Sequence, residues 1–214
     1  MIVKDCGLIE YGTAWDLQKE IFEKVQQGDQ QTILLCEHPH VYTLGKSGNR
    51  ENLLIGQKKL EEIGATYYKS DRGGDITYHG QGQLVVYPII DLTGQNISLR
   101  EYIYRLEETV INTIKCWGVC GERSEGATGV WIEGRRKICA IGVRASRSVT
   151  MHGLALNVST QLEYFDYINP CGFTDRGVTS LVKEIKDEEK RSERELYESV
   201  KSELINQMRK QFKF

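Results

Sequence analysis

Residues 72–92 read RGGDITYHGQGQLVVYPIIDL, a polar, glycine-dense segment that continues directly into an apolar one. The apolar half, Leu84 to Ile90, is rich in β-branched side chains and predicts a buried strand. Pro88 removes one main-chain donor from that strand, which favours an edge position or a bulge. The polar half carries four glycines, and glycine lets a backbone approach a ligand closely. The stretch therefore predicts either the wall of a substrate site or a long hairpin loop with turn glycines.

Upstream of this stretch the sequence predicts alternating strands and helices. Thr13 is placed to cap a helix that Gly28 ends. A second, short helix is expected within residues 53–63, closed by Gly64. Strands are predicted at residues 2–11, 31–36, 41–45 and 65–69.

Downstream, Ser98 and Glu101 form a capping box that predicts the start of a long amphipathic helix. A hairpin follows, with strands at residues 130–132 and 137–143, and the next strand is predicted at 149–158. Residues 164–181 are predicted to form a long loop. A last helix is expected after Ser192, with a stripe of Leu196, Val200, Leu204 and Met208 packed against the body. Because no strict strand–helix–strand repeat is present, we predict one α/β (α+β) domain over 1–214 with a mixed, largely antiparallel sheet.

Composition limits the function classes. Of the 214 residues, 27% are charged and the net charge is −2, with a sequence pI near 6.1. No basic field or stripe of interleaved basic and aromatic residues predicts nucleic-acid binding. The N-terminus has no apolar signal region, and no stretch approaches the length that spans a bilayer. We therefore expect a cytoplasmic protein without a membrane segment.

Six cysteines are scattered through the chain, which fits a reducing compartment better than a disulfide framework. Cys116 and Cys120 have no histidine nearby to complete a metal site, and His38 and His40 lack a third ligand in sequence. We therefore predict no metal. Cys171 differs from the others because it lies in a Pro-Cys-Gly turn, which exposes its sulfur.

A reactive thiol also needs a group that lowers its pKa or takes its proton. From the residues alone, His79 or His152 is the default partner of Cys171, because Cys–His is the commoner pairing. Lys137, at the start of a predicted strand, is the less obvious candidate. As a residue type in that position, Lys137 fits a solvated hairpin lysine beside Arg135 and Arg136 better than a catalytic residue. Cys171 fits an ordinary loop cysteine and a nucleophile equally well.

Several motifs in fixed order resemble one known family. They comprise Glu37-His38-Pro39, Tyr42-Thr43-Leu44-Gly45, the stretch from Arg72, Gly129-Val130-Trp131, Lys137-Ile138, His152 to Asn157, Pro170-Cys171-Gly172 and Thr179-Ser180-Leu181. The chain is thereby similar to the octanoyltransferases of protein lipoylation, the lipoyl(octanoyl) transferase family. It departs from them at Gln81, where the family usually has proline.

The resemblance implies a fold similar to the catalytic domain of biotin and lipoate protein ligases, and a monomer. It implies that Cys171 carries an acyl thioester and that Lys137 lowers its pKa and serves as acid and base. It also implies an acyl site lined by Arg72, Gly73, Gly74, Asp75, Ile76, Thr77, Tyr78, His79, Ala140, Ile141, Gly142, Gly153, Leu154 and Ala155.

By the same resemblance, octanoyl acyl carrier protein is the donor and no cofactor is needed. The acceptors are lysines of the lipoyl domains of 2-oxoacid dehydrogenases and of the glycine cleavage H protein. Three alternatives remain at this stage: an ATP-dependent lipoate or biotin ligase, a non-catalytic module that binds lipoyl domains or acyl chains, and a relative that exchanges octanoyl groups between carrier proteins.

Overall fold

The computed structural model describes residues 1–169, 177–185, 192–212 and 214. Strands occupy Ile2–Leu8 (β1), Thr32–Glu37 (β2), Val41–Leu44 (β3), Thr66–Lys69 (β4), Ile76–His79 (β5), Gln83–Ile89 (β6), Glu122–Ser124 (β7), Ala127–Ile132 (β8), Arg136–Ser146 (β9), Val149–Asn157 (β10) and Gly177–Val178 (β11). Helices occupy Tyr11–Gln26 (α1), Gln57–Glu62 (α2), Leu99–Lys115 (α3), Leu181–Glu184 (α4) and Glu193–Phe212 (α5), with 3₁₀ turns at Arg50–Asn52 and Leu162–Tyr167.

The strands form two sheets. The larger has the order β1-β2-β6-β10-β9-β8-β7, with β11 beside β9, and the smaller has the order β4-β3-β5. Pairing is parallel at β1–β2, β3–β4 and β9–β11, and antiparallel at the other pairs. The expected mixed, largely antiparallel sheet is confirmed.

The larger sheet is covered on both faces, which explains why β6 is apolar from Leu84 to Ile89. Val85 packs with Phe22 and Val25 of α1 on one face. Val86 packs on the opposite face, where Leu106 of α3 and Leu204 of α5 lie. Successive side chains of a strand point to opposite faces, so a strand buried on both sides shows a continuous apolar run. Each fully buried side chain of this kind contributes about 1.5–3 kcal/mol.

Two of the three predicted helix starts are confirmed. The Ser98 Oγ accepts a hydrogen bond from the Glu101 N–H at 3.1 Å, and Ser192 and Glu195 form the equivalent pair before α5. The start predicted at Thr13 is wrong, because α1 begins at Tyr11. The Tyr11 ring is buried and its hydroxyl donates to the Ser70 Oγ, so tertiary contacts rather than a cap set this helix start.

Pro88 predicted an edge position or a bulge, and the edge alternative is wrong, since β6 lies between β2 and β10. The effect of the missing donor is seen in the ladder to β10, which runs over Leu154–Asn157 and stops before it reaches Pro88. By continuation of that register His152 would lie opposite Pro88, and His152 has a φ of 59°. The chain therefore accommodates the proline by a local distortion of the neighbouring strand rather than by an edge.

The loop predicted at 164–181 contains regular structure at both described ends. The 3₁₀ turn extends into it to Tyr167, and β11 begins at Gly177. Cys171 lies outside the described residues. Among the helices within the described ranges, none is both long and apolar enough to cross a bilayer.

Candidate active site

A cavity of about 530 Å³ lies between the glycine-rich segment and strands β9 and β10. Tyr78 does not line it, because its ring lies against Tyr164 and its hydroxyl bonds to His40. The other predicted site residues that the structure describes do line it, namely Arg72, Gly73, Gly74, Asp75, Ile76, Thr77, His79, Lys137, Ala140, Ile141, Gly142, Gly153, Leu154 and Ala155.

The exposure of the lining residues differs along the cavity. Exposed Thr128 and Gly177 line it beside Lys137, which we call the open end, whereas buried Tyr87 and His152 line the part away from Lys137, which we call the closed end. His152 pairs with Val143 on β9, six residues from Lys137, which corresponds to about 20 Å along a strand. The cavity is therefore long enough for an extended ligand.

Close main-chain contacts form one wall. The Gly73 N–H donates to the Val143 carbonyl at 2.9 Å. A Cβ on Gly142 would lie 2.9 Å from the Gly73 carbonyl oxygen, and a Cβ on Gly153 would overlap the Val86 carbonyl oxygen. Side chains are excluded at Gly142 and Gly153 because the backbones themselves meet there. Within the glycine-rich stretch, Gly74 and Gly82 have positive φ values of 82° and 77°, as turn glycines do, and Gly73 and Gly74 line the cavity.

Arg72 is buried and holds the glycine-rich segment to β3. Its guanidinium donates to the Thr43 carbonyl at 2.6 Å, to the Thr43 Oγ1 at 3.0 and 3.2 Å, and to the Gly73 carbonyl at 2.9 Å. A buried cation needs such partners, since an unpaired one would be strongly destabilising. In these contacts Arg72 stabilises the shape of the cavity wall.

His79 has both ring nitrogens in hydrogen bonds. Nδ1 lies 2.7 Å from the Gln83 Oε1, and Nε2 lies 3.3 Å from the Thr43 Oγ1. Burial lowers the pKa of His79 to about 3, with the nearby His38 and Arg72 contributing. A neutral imidazole with both nitrogens engaged is a poor base for a thiol, so His79 does not fit the partner role considered from its residue type.

His152 lies at the closed end and is oriented by a carboxylate. Its Nε2 is 2.7 Å from the Asp71 Oδ1, and Asp71 also pairs with Arg144. Burial lowers the pKa of His152, while the hydrogen bond from His152 lowers the pKa of Asp71 to about 2. Its position opposite Val143 places it about six strand residues from Lys137 and leaves it in contact with the closed end.

Lys137 is positioned by both of its neighbouring strands. Trp131 of β8 pairs with it on one side, and the Lys137 Nζ lies 4.6 Å from the centre of the Trp131 ring. Val178 of β11 pairs with it on the other side, next to Gly177 and Arg136. Gly177 is the first described residue after Cys171, and with Val178 it pairs with Arg136 and Lys137.

Two buried amide side chains line the cavity without having been predicted as site residues, Gln83 and Asn157. The Gln83 Nε2 donates to the Asn157 Oδ1 at 2.8 Å, and the Asn157 Nδ2 donates to the Thr179 carbonyl at 3.0 Å. The signal in the sequence is a polar residue next to an apolar run in each of two strands. Gln83 starts β6, and Asn157 ends β10. Periodicity alone does not separate such positions from solvated strand ends.

The buried histidines predict a loss of stability in mild acid. Burial lowers the pKa of His38 to about 4 and that of His79 to about 3, from an ordinary value near 6.5. The unfolded chain takes up these protons as the pH falls below 6.5, and the folded chain does not. The two histidines therefore take nothing from the free energy of unfolding above pH 6.5. Below that pH it falls by about 1.4 kcal/mol per pH unit for each histidine, a loss of about 2 kcal/mol each at pH 5.

Urea unfolding at pH 7.5 and pH 5 measures this loss. The matched variant is His38→Gln, which should be less stable at pH 7.5 but should show a shallower pH dependence, because one titrating group is gone. Equal free energies of unfolding at the two pH values would contradict the prediction.

Known proteins similar to this chain agree with the fold. Residues 10–207 match the lipoyl protein ligase A/B catalytic domain. An octanoyltransferase of Bacteroides fragilis is 56% identical over 194 residues, a match that covers 86% of this chain and 88% of that protein.

Two solved structures share the fold at low sequence identity. A bipartite lipoate protein ligase of Thermoplasma acidophilum superposes with a TM-score of 0.72 at 17% identity, covering 98% of this chain and 82% of that chain. The biotin protein ligase of Aquifex aeolicus in complex with biotin and ATP gives a TM-score of 0.51 at 11% identity, covering 99% and 72%. The expected likeness to lipoate and biotin ligase catalytic domains is confirmed for the fold.

Proposed function

Because the chain belongs to the octanoyltransferases of the lipoyl protein ligase A/B catalytic domain family, we propose that it works through a thioester on Cys171 with Lys137 as acid and base. The donor is octanoyl acyl carrier protein. The acceptors are lysines of the lipoyl domains of 2-oxoacid dehydrogenases and of the glycine cleavage H protein. The observation that supports this most strongly is the placement of Lys137 at the open end of the cavity, paired with the strand that follows Cys171.

In the first step the Cys171 thiolate attacks the carbonyl carbon of the donor thioester. A carbon–sulfur bond forms to Cys171 and the bond to the donor sulfur breaks, so one thioester replaces another. The exchange is close to balanced and needs no ATP. An ammonium at Lys137 favours the thiolate form of the cysteine, and it then gives its proton to the departing donor thiolate, which leaves Lys137 as the neutral amine.

In the second step the amine of the acceptor lysine attacks the Cys171 thioester. A carbon–nitrogen bond forms, the bond to the Cys171 sulfur breaks, and the amine loses a proton. Lys137 in its neutral form is the base that takes this proton, a role worth about 10²–10⁴-fold in rate for a well-placed group. Amide formation makes this step downhill.

Both steps pass through a tetrahedral oxyanion that needs hydrogen-bond donors. Main-chain N–H groups of the cavity wall are the natural donors, worth about 3 kcal/mol each. The Gly73 N–H is already used by the Val143 carbonyl. Oxyanion stabilisation therefore falls to other main-chain groups near Lys137.

The cavity also suits the acyl chain. Its volume of about 530 Å³ is typical of small-molecule sites, and Ile141, Leu154 and Ala155 supply apolar wall. Each methylene buried there contributes about 0.8 kcal/mol, so acyl chains one or two carbons longer or shorter compete with octanoyl.

The ATP-dependent ligase is the main rival, since the same fold carries that activity in similar structures. The two mechanisms separate in one experiment. The protein is mixed with octanoyl acyl carrier protein, without ATP and without acceptor, and its intact mass is measured. A single octanoyl adduct that hydroxylamine removes supports the thioester route, whereas an adduct that forms only with ATP overturns it.

A further inference from the structure

A continuous row of buried hydrogen bonds runs along one wall of the cavity. It passes from the Thr43 hydroxyl to His79 at 3.3 Å and from His79 to the Gln83 Oε1 at 2.7 Å. It continues from the Gln83 Nε2 to the Asn157 Oδ1 at 2.8 Å and ends on the Thr179 carbonyl at 3.0 Å. All five residues are buried, so each bond lies in a low-dielectric environment.

The direction of this row is set at its first member. The Thr43 Oγ1 accepts from the Arg72 guanidinium, so its own proton points to the His79 Nε2. The His79 proton is then on Nδ1 and is donated to Gln83. Each of the two amides likewise accepts a hydrogen bond with its oxygen and donates one with its nitrogen, so that each bond polarises the next. The row therefore directs a strong donor, the Asn157 Nδ2, at the Thr179 carbonyl.

Thr179 in turn holds the main chain of Lys137. The Thr179 N–H donates to the Lys137 carbonyl at 3.0 Å, one residue after β11 pairs with Arg136 and Lys137. β10 pairs with β9 as far as Cys139, which lies opposite Leu156. Beyond that point β11 pairs with the same edge of β9, and Asn157 is the last residue of β10. The Asn157 side chain thus links the end of β10 to Thr179, the residue that follows β11.

Two paired residues are fewer than the usual length of a strand, so β11 depends on bonds at its ends. From this arrangement we propose that Asn157 is a positioning residue for the reaction, acting through Thr179 to hold Lys137 at the open end of the cavity. The inference rests on the proposed function, because it assigns Asn157 its role through the acid and base Lys137.

Asn157→Asp tests this proposal with almost no change in shape. The substitution removes the Nδ2 donor and places a carboxylate oxygen against the Thr179 carbonyl. The readout is the pH dependence of two reactions at Cys171, octanoyl adduct formation from octanoyl acyl carrier protein and alkylation by iodoacetamide, each quantified by mass spectrometry. We expect the midpoint of both profiles to move to higher pH. The rates at pH 7 should fall about tenfold, because a rise of one unit in the pKa of the Cys171 thiol lowers its thiolate fraction by about that factor.

Two further variants separate positioning from a general loss of stability. Thr150→Val removes a buried hydrogen bond of the same strand, from the Thr150 Oγ1 to the Pro88 carbonyl at 2.8 Å, at a position that does not line the cavity. It should lose stability and keep the wild-type profile. Asn157→Ser retains a hydroxyl donor and is expected to fall between wild type and Asn157→Asp, and it serves as the test if the aspartate variant does not fold.

The outcomes distinguish this proposal from the proposed function. If the wild-type protein forms no octanoyl adduct without ATP, the proposed function fails, and this inference fails with it. If the wild type forms the adduct but both Asn157 variants keep its pH profiles, or Thr150→Val shifts them equally, the positioning role alone is overturned.

Discussion

A Lys137→Met protein is expected to transfer octanoyl groups at least about 10³-fold more slowly than wild type while remaining folded. Methionine fills similar space between Trp131 and Val178, so the strand pairings on both sides are retained. The variant lacks both the cation that favours the Cys171 thiolate and the amine that accepts a proton. Adduct formation and acceptor modification are measured separately, and we expect both to be lost.

Lys137→Arg is the matched control because it keeps the charge and removes the base. Arginine is not deprotonated in proteins, so this variant should still form some adduct but should fail to pass the octanoyl group to an acceptor lysine. Thermal unfolding of both variants checks that the fold is intact. A fully active Lys137→Met protein would remove the acid and base role from this residue.

Cys171→Ser is expected to abolish the octanoyl adduct, with transfer reduced by about 10³-fold or more. A serine hydroxyl has a far higher pKa than a thiol, and a lysine suited to activating a thiol does not ionise it. The measurement is intact mass after exposure to octanoyl acyl carrier protein, followed by assay of an acceptor lipoyl domain.

The control for this variant is Cys120→Ser, which replaces an exposed cysteine. It should retain full adduct formation and transfer. Retention of full transfer by Cys171→Ser would show that the acyl group does not pass through this residue.

Local chemistry predicted most elements of the fold but not the order of strands in the sheet. The capping boxes at Ser98 and Ser192 were found because a side chain and a main-chain donor three residues apart decide the helix start. Pro88 predicted an edge or a bulge because proline in sheets usually lies at one of the two. Whether a strand is central depends on which distant strands pair with it, and nothing within residues 83–89 encodes β2 or β10.

The site was predicted in part. The glycine stretch was identified from its composition, and the structure shows why glycine is required where Gly73 meets Val143 and Gly142. Residue type favoured His79 as a base, but its burial and its two hydrogen bonds become visible only once β3 and β6 are in place. For Lys137, sequence chemistry alone favoured a solvated hairpin lysine, and its pairing with Trp131 and Val178 becomes visible only once β8 and β11 are in place.

The contact between Gly153 and Val86 limits how this chain can be varied in a mutational library. Any side chain at Gly153 would clash with the main-chain carbonyl oxygen of Val86. Because every amino acid carries that oxygen, the clash does not depend on which residue occupies position 86. A compensating substitution at that neighbour therefore cannot make room. Crowding by a side chain is different, as at Gly12, where the Cβ would meet the Tyr68 ring and a smaller residue at position 68 would relieve it. Libraries aimed at new acyl specificity should keep Gly153 fixed and place their diversity at Ile141 and Leu154.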